Sequence, residues 1–444
     1  MPRPYDRWGT RRAVSQGGPI MRILRRIGLM AIVGARHAVP PHILVLAAVV
    51  SASAAPPAPP GAPHASPLQL PYVYTKWRQF TTENGLPSDH VFAVKVNGND
   101  VWVGTDDGLA LIDKQQGKVA KVWKEKDGLP FRAVDGIDVD PNTGDVWIAL
   151  FGGGLARLSG GRFDHWNQLN SGLVNDVVYG VAVQGDNVWA ATTAGCSRLN
   201  VKTHQWTIFN EKNSPMEEIW NYAVTYSKQA NKVFLAVWGS GILEYDLEKA
   251  ARGEPAWNEY LDPDREMEID LYRDDGINHV IDTGVTNVDG VMWTSSYFGG
   301  SRYDGRHWRG FSDIEGGMPS LFHNNVKGRS ADEAWYCSDK GAGAIVNMEP
   351  ETWVVYTREG NNGKAVVKQR TRPDAPTLDT IEVVETGINV PHSFIINADV
   401  DGNDVWLATA HGVGWGIGDG YYPRLKERAP LGAAPAQPAA ATAR

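Results

Sequence analysis

The chain has 444 residues, of which 42% are hydrophobic and 21% charged, an ordinary composition for a soluble protein. Its formal net charge is −8 and no basic stripe runs along it, so nucleic acid is not an expected partner. The sequence contains no P-loop, dinucleotide fingerprint, G-x-S-x-G or H-E-x-x-H motif, and no C-x-x-C-H for covalent haem. These absences argue against a nucleotide or haem cofactor.

Residues 1–71 read as a secretory signal followed by a Pro/Ala-rich leader. Four arginines between positions 22 and 36 precede an apolar run at 42–55, which ends in small residues. Basic, apolar and small-residue segments in this order are typical of an export signal cleaved here near Ala54 or Ala55. The run is short for a membrane helix, and an uncleaved anchor is the alternative. We expect a periplasmic or extracellular protein with no membrane span in the mature chain.

The next element is a strand around Trp77, in YVYTKWRQF, with no partner strands before it. From residue 85 to 127 the sequence alternates four short apolar segments with Gly/Asn/Asp turns, which predicts a four-stranded antiparallel unit. New units begin at 128 and 172, and the pattern then continues to about 417.

Two series of aromatic residues mark seven such units. The first series, expected in the second strands, is Trp102, Trp147, Trp189, Phe234, Trp293, Trp335 and Trp406. The second, expected in the outermost strands, is Trp77, Trp123, Trp166, Trp206, Trp257, Trp308 and Trp353. Two long steps in the first series indicate insertions near 247–275 and 355–386.

Seven four-stranded units of this length predict an all-β fold, a seven-bladed β-propeller over residues 72–420. The last unit (387–417) has three inner strands and no outer strand, so the strand at Trp77 should complete it and remove the sheet edges. Residues 421–444 form a Pro/Ala-rich tail that we expect to be disordered. Cys196 and Cys337 fall in blades on opposite sides of the ring, so two buried free thiols are expected.

The early units also resemble a known repeat. GLPSDHVFAVKVNGNDVWVGTDDGLALID, GLPFRAVDGIDVDPNTGDVWIALFGGGLARL and GLVNDVVYGVAVQGDNVWAATTAGCSRLN resemble the two-component-regulator propeller repeat, and the resemblance extends over residues 72–420 with later blades drifting. In that family the propeller commonly forms the periplasmic sensing part of a hybrid histidine kinase. The resemblance implies a sensor-like propeller, here without kinase output, and a fold alone does not name a function.

Histidines recur at the turn that leads into the innermost strand. They are His90, His279, His323 and His392, in the neighbouring blades 1, 5, 6 and 7. Three or four imidazoles at the channel mouth could bind a transition metal and support catalysis, and this is the metal hypothesis. The alternative is a set of polar side chains at loop ends that hydrogen-bond the backbone.

The same rim carries aromatic residues outside the two series. The candidates for ligand or partner binding are Trp220, Tyr222, Trp238, Tyr297 and Phe298, with His411 from blade 7. An exposed aromatic patch beside a channel suits sugar, peptide or protein binding, whereas packing between blades is the alternative. The acidic segment 262–276 could be a lid or docking loop, and a solvated acidic loop is the plainer interpretation.

Three functions remain open from the sequence. The first is an exported, non-enzymatic propeller that binds a ligand or a protein partner at the channel-mouth rim. The second, a specific case of the first, is an accessory subunit or sensor-like module that works with a partner and docks through the two insertions. The alternative is a metal-dependent lyase or oxidoreductase that uses the histidine cluster. We prefer the first.

Overall fold

Thirty strands in the described part of the chain form seven antiparallel sheets, and these sheets are the blades of a propeller. The computed structural model describes residues 73–263, 274–387 and 389–418. They all belong to one unit that starts at Leu68. The predicted leader (1–71), most of the acidic segment 262–276 and the predicted tail (421–444) lie outside the described residues.

Blades 1 to 3 each contain four consecutive strands, numbered from the channel outwards. Blade 1 consists of β2 (Val91–Asn97), β3 (Asp100–Thr105), β4 (Gly108–Asp113) and β5 (Lys118–Trp123). Blade 2 consists of β6 (Val134–Val139), β7 (Val146–Leu150), β8 (Gly154–Ser159) and β9 (Arg162–Trp166). Blade 3 consists of β10 (Val178–Gln184), β11 (Asn187–Thr192), β12 (Gly195–Asn200) and β13 (Gln205–Phe209).

Blades 4 and 5 keep the same pattern, with one short helix added. Blade 4 consists of β14 (Asn221–Ser227), β15 (Lys232–Val237), β16 (Gly241–Asp246), helix α1 (Leu247–Ala251) and β17 (Trp257–Tyr260). Blade 5 consists of β18 (Asp282–Val288), β19 (Val291–Ser296), β20 (Gly299–Tyr303) and β21 (Trp308–Phe311). Single 3-10 turns lie at Thr82–Asn84 and Glu125–Asp127.

Blade 6 is larger than expected. It consists of β22 (His323–Gly328), β23 (Ala334–Ser338), β24 (Gly341–Met348), β25 (Glu351–Glu359), β26 (Asn362–Gln369) and β27 (Asp379–Gly387). The insertion predicted near 355–386 is therefore mostly strand, and it extends the sheet from four strands to six.

The N-terminal strand closes the ring, as predicted. Blade 7 consists of β28 (Ile395–Asp401), β29 (Asp404–Thr409), β30 (Gly412–Gly416) and, outermost, β1 (Trp77–Phe80). β1 pairs antiparallel with β30, Trp77 opposite Gly416 and Phe80 opposite Val413. The inner strands contact one another in the closed order β2, β6, β10, β14, β18, β22, β28 and back to β2. The seven-bladed propeller predicted from the repeats is confirmed.

The first aromatic series occupies one structural position, the second strand, in all seven blades. The second series mixes two positions. Trp123 and Trp166 pair with the second residue of the third strand in their blades. In the other five blades, the residue in that pairing position is an aromatic three residues after the member of the second series. In blade 3, for example, it is Phe209, which pairs with Cys196. It is this aromatic that stacks on the first series, with ring centroids 5.3 Å apart for Trp189 and Phe209.

Each third strand begins at a glycine with positive φ. A Cβ on Gly195, for example, would lie 2.4 Å from the carbonyl oxygen of Phe209. A side chain there would clash with this oxygen, and the positive φ would strain its backbone. The same approach occurs at Gly108, Gly154, Gly241, Gly299, Gly341 and Gly412. This explains why the turn after the second strand carries glycine in every unit.

Both cysteines are buried and free, as expected from their separation around the ring. Burial raises the pKa of the Cys196 thiol to about 12 and that of Cys337 further, so both are neutral at physiological pH. No helix in the described part of the chain has the length and hydropathy needed to cross a membrane.

Candidate functional site at the channel mouth

Every inner strand carries a β-bulge at its second residue. In blade 3, for example, Val178 and Gly180 pair with consecutive residues of β11, and Tyr179 is left over. A bulged residue is unpaired and its side chain is re-aimed, which is why bulges are common at binding sites. The seven bulge residues are Phe92, Asp135, Tyr179, Tyr222, Thr283, Asn324 and Ile396.

Two more positions complete this end of each blade. One is two residues before the bulge residue, and the other is in the turn between the second and third strands. They are bonded to each other: the amide of Trp238, for instance, donates to the carbonyl of Trp220 at 2.9 Å. Equivalent bonds occur in six of the seven blades, so side chains from the three positions meet at the same rim.

Seven aromatic side chains from these positions form one continuous group, which we call the rim aromatic cluster. Trp220 stacks on Tyr222 and on Trp238, with centroids 5.6 and 5.9 Å apart. Tyr297 contacts Trp238 at 5.6 Å, and the cluster continues into the neighbouring blades on both sides. Its members are Phe151, Tyr179, Trp220, Tyr222, Trp238, Tyr297 and Phe322.

The cluster is a surface rather than a sealed core. None of its members is fully buried, and Phe151 is 37% exposed. The hydroxyls of Tyr222 and Tyr297 lie 3.4 Å apart. Burial raises the pKa of Tyr179, Tyr222 and Tyr297, so all three stay protonated as hydrogen-bond donors. Partly exposed rings spread over blades 2 to 6 offer apolar faces with a few hydroxyls.

Asp135, the bulge residue of blade 2, is the acidic neighbour of this cluster. Burial raises the pKa of its carboxyl to about 7, and its charge contributes to the raised pKa of Tyr179 on blade 3. Within the described residues the Asp135 carboxyl makes no hydrogen bond or ion pair. No sequence motif distinguishes this aspartate from the others.

A layer of ion pairs lies farther along the inner strands, three residues after the bulge position. Lys95 pairs with Asp138 and Lys327 pairs with Asp399, each at 2.7 Å between nitrogen and oxygen. The two lysines balance the two aspartates, so this layer does not neutralise Asp135.

His279 and His392 occupy equivalent positions and make the same hydrogen bond to the backbone. Each accepts, through Nδ1, the backbone amide two residues later, at 3.0 Å from Ile281 and 2.9 Å from Phe394. The side chains of Ser88, Asn175 and Ser320 accept the equivalent amides in blades 1, 3 and 6. A neutral imidazole whose Nδ1 accepts must carry its proton on Nε2, which leaves no lone pair for a metal.

The other two predicted metal ligands lie in different surroundings. His323 is fully buried, its Nδ1 donates to the carbonyl of Leu321 at 3.0 Å, and burial lowers its pKa to about 4. His90 is half-exposed, with Nδ1 3.8 Å from a carboxylate oxygen of Asp106. Among the residues that the structure describes, no group of three or more His, Cys, Asp or Glu is arranged to hold a metal ion. The four histidines are thus not assembled into one ligand set.

The predicted binding residues fall into two groups. Trp220, Tyr222, Trp238 and Tyr297 come together in the rim aromatic cluster, whereas Phe298 packs on His279 with centroids 4.2 Å apart. His411 lies at the blade 7 and blade 1 side of the rim, 3.6 Å from Asp89. His90 and His411 also act on the pKa of His392, which burial, the larger cause, already lowers.

Sequence reasoning missed three members of the cluster, which are Phe151 in the turn after β7, and Tyr179 and Phe322 at the starts of inner strands. Tyr179 stands next to the strand start that the repeat marks, and Phe322 stacks on Tyr297 at 4.2 Å. A repeat alignment anchored on the bulge, rather than on the first glycine of each unit, would have placed both at the rim.

Solved structures with the same fold include extracellular domains from B. thetaiotaomicron. The domain assigned to the hybrid two component system BT3049 has 13% identity and a TM-score of 0.53, over 76% of this chain and 41% of its own. The domain of BT4673, assigned to a one component system, has 12% identity and a TM-score of 0.53, over 78% of this chain and 40% of its own. A second BT4673 structure, assigned to a hybrid system, gives 12% and 0.52, over 77% and 40%.

This chain therefore spans about two fifths of each of these neighbours, and at such identities the likeness shows a common fold. The family resemblance of the repeat units agrees with them, since these neighbours are extracellular domains of two-component or one-component systems. No protein-family model matches the chain, and no curated protein matches it in sequence.

Proposed function

We propose that this propeller is a non-enzymatic, exported sensor-like module that binds its ligand on the rim aromatic cluster and works with a partner protein. The observation that carries the proposal is the cluster itself. Seven aromatic side chains from five consecutive blades meet at the bulged, channel-mouth end of the ring.

A purely structural role would not require this arrangement. The blades are already held together by the buried first aromatic series and its stacking partners, such as Trp189 with Phe209. The rim aromatics remain partly exposed, and half-exposed Trp and Tyr side chains are enriched in binding surfaces. Their contacts with each other hold the rings in place before a ligand arrives, which lowers the ordering cost of binding.

Two supports come from outside the site. A location outside the cytoplasm is supported by the predicted export signal in residues 1–71 and by the solved neighbours, which are themselves extracellular domains. The assignment of the neighbours to two component systems supports a role together with a partner protein. No contact in the described residues favours the metal-dependent enzyme over this proposal.

The test is a ligand screen on the full chain, exported through its own leader. Thermal shift and intrinsic tryptophan fluorescence would be followed against a panel of small metabolites and soluble glycans. The variant Trp220→Leu/Trp238→Leu removes the centre of the cluster. Leu169→Ser changes an apolar side chain outside the cluster, 95% exposed in the connection between β9 and β10.

We expect a stabilising ligand whose effect is lost in the double variant and kept in Leu169→Ser. Binding that survives the loss of both tryptophans, in a folded variant, would place the ligand elsewhere. Chemical conversion of the ligand by the purified protein would replace the sensor proposal with an enzymatic one.

A further inference from the structure

We infer that the rim aromatic cluster and Asp135 together form a site for an organic ammonium ion, a small molecule with a positive charge on an apolar body. The inference rests on the proposed function and narrows the ligand class. It combines the electron-rich ring faces of the cluster with an acidic side chain that has no cation of its own.

The first element is the position of Asp135. It is a bulge residue, equivalent by register to Tyr179 in blade 3 and Tyr222 in blade 4, so it belongs to the same row around the mouth. Its side chain keeps partial contact with solvent. Its negative charge is close enough to the Tyr179 hydroxyl to raise the pKa of that group beyond the effect of burial.

The second element is the missing counter-charge. Lys95 of the adjoining strand β2 already pairs with Asp138. Its pKa is raised because the negative charges of Asp138 and Asp399 outweigh the effect of burial. Burial is the only cause of the shifted pKa of Asp135. The titratable groups on the adjoining elements include His90, Lys95, Asp100 and Asp106 of blade 1, Arg132 and Asp138 of blade 2, and Asp176 and Tyr179 of blade 3. None of them acts on that pKa.

The third element is the chemistry of the rings. A cation held against the faces of Trp and Tyr is attracted by the ring quadrupole, and the attraction grows when the site is shielded from water. The cluster offers two Trp and three Tyr, and no Lys or Arg lies over these rings in the described residues. The arginines that do stack on aromatics lie on the blade-packing Trp and Phe instead, for example Arg198 over Trp189.

The two features define one ligand class. An inorganic cation would be held by the carboxylate but would gain little from large aromatic surfaces. A neutral ligand would gain from the rings but would leave the carboxylate uncompensated. An organic ammonium ion satisfies both. Because only the ionised carboxylate attracts it, binding should strengthen as the pH rises through the pKa of Asp135, about 7.

The test compares choline with its neutral isostere 3,3-dimethylbutan-1-ol by isothermal titration calorimetry on the full chain at pH 6, 7 and 8. We expect choline to bind, with an affinity about tenfold higher at pH 8 than at pH 6, as the ionised fraction of a group of pKa about 7 requires. The neutral alcohol should bind at least about tenfold more weakly at pH 8.

Variants assign the effect. Asp135→Asn should abolish the pH dependence and weaken choline binding by about tenfold or more at pH 8, and Trp238→Leu should weaken it while keeping the pH dependence. Asp289→Asn, which removes one exposed charge in the turn between β18 and β19, at the end of the inner strand opposite the bulge, should match the wild type. Folding of each variant is checked by thermal unfolding.

Equal binding of choline and the alcohol, or unchanged binding in folded Asp135→Asn, would overturn the ammonium inference and leave the ligand-binding proposal standing. No binding of either probe would also overturn the inference. The panel screen with Trp220→Leu/Trp238→Leu then decides the proposed function separately.

Discussion

Lys95 of blade 1 donates to Asp138 of blade 2 across the channel side of the ring, with 2.7 Å between Nζ and Oδ1. The other carboxylate oxygen of Asp138 accepts the amide of Val183 in blade 3, at 2.8 Å. Three consecutive blades are thus joined through one aspartate. The joint links inner strands only, so it stabilises their order around the axis.

The same joint recurs at the closure of the ring, and this leads to the first prediction. Asp399 of blade 7 pairs with Lys327 of blade 6 at 2.7 Å and accepts the amide of Val96 in blade 1 at 2.8 Å. Asp399→Ala should lower the free energy of unfolding by about 2–3 kcal/mol, because it leaves a partly buried lysine and a backbone amide without partners.

Chemical denaturation at pH 7 would measure the loss. The matched control is Asp401→Ala in the same strand, whose partner Lys114 keeps a second carboxylate, Asp404, at 2.8 Å. That exposed pair should contribute less than about 1 kcal/mol. Equal effects of the two substitutions would show that the channel layer does not stabilise the ring.

The second prediction concerns the N-terminal strand. Removing residues 1–80 deletes β1, exposes the edge of β30 and loses the buried side chains of Trp77 and Phe80, which together stabilise the fold by at least about 3 kcal/mol. Removing residues 1–71 leaves β1 in place. We expect the shorter deletion to unfold like the full chain, and the longer one to have a lower Tm and to aggregate.

Thermal unfolding with light scattering separates the two, and a peptide spanning residues 72–82 added in trans should partly restore the longer deletion. If both deletions unfold alike, ring closure by β1 contributes nothing to stability.

Much of this fold follows from the sequence because every blade of the propeller is stabilised by the same kinds of contact. Each blade needs a large aromatic in its second strand and a positive-φ glycine before its third, and Trp147 and Gly154 show this in blade 2 as Trp406 and Gly412 do in blade 7. Strand count, blade count and closure could therefore be predicted. The extra strands of blade 6 could not, because β26 and β27 do not repeat a pattern seen elsewhere.

The site was predicted only in part because it depends on pairing register. The distance to the first aromatic series predicts Trp238, and the position at the entry of blade 4 predicts Trp220. Tyr179 and Asp135, in contrast, are placed by bulges that exist only once two strands pair. The histidines show that recurrence along the sequence has more than one physical cause. His279 and His392 recur because a leading turn needs an acceptor for a backbone amide, a need that Ser88 and Asn175 meet equally well.

A third prediction uses this equivalence. His279→Asn keeps a side-chain acceptor in the leading turn, as Asn175 does in blade 3, and removes a group whose pKa burial lowers to about 4. The unfolded value is about 6.5, so the folded state binds fewer protons between these pH values and the histidine destabilises it as the pH falls. As the pH falls from 6 to 4.5, the free energy of unfolding of the variant should rise relative to that of the wild type by up to about 1.4 kcal/mol per pH unit.

The variant has to be measured against the wild type at each pH, because Asp135 is present in both. With a folded pKa of about 7, Asp135 changes the stability of both proteins in the opposite direction over the same range. The control is His204→Asn, an exposed turn position with φ of 57° that asparagine also adopts. A parallel pH dependence in His279→Asn and wild type would contradict the assignment.

The fourth prediction concerns the contact that fixes the extended sheet of blade 6. Arg370, just after β26, donates to Glu351 at 3.0 Å and to Glu315 at 2.7 Å, and Arg309 of blade 5 contacts the same two carboxylates at 3.2 and 2.6 Å. Both glutamates are buried, and the positive charges of the arginines outweigh burial in lowering the pKa of Glu351. Arg370→Met should cost about 3 kcal/mol, because two buried carboxylates then share one arginine.

A double-mutant cycle with Glu315→Gln should give a coupling energy of about 1–3 kcal/mol, since the pair acts as one network. The control Arg252→Met removes an exposed arginine just after helix α1, paired with Glu254, and should leave stability unchanged. Limited proteolysis provides an independent measurement: cleavage after the extension's own basic residues, Lys364 and Lys368, should accelerate in Arg370→Met before the rest of the ring is attacked. Uniform cleavage at an unchanged rate would show that β26 and β27 hold to the blade by strand pairing alone.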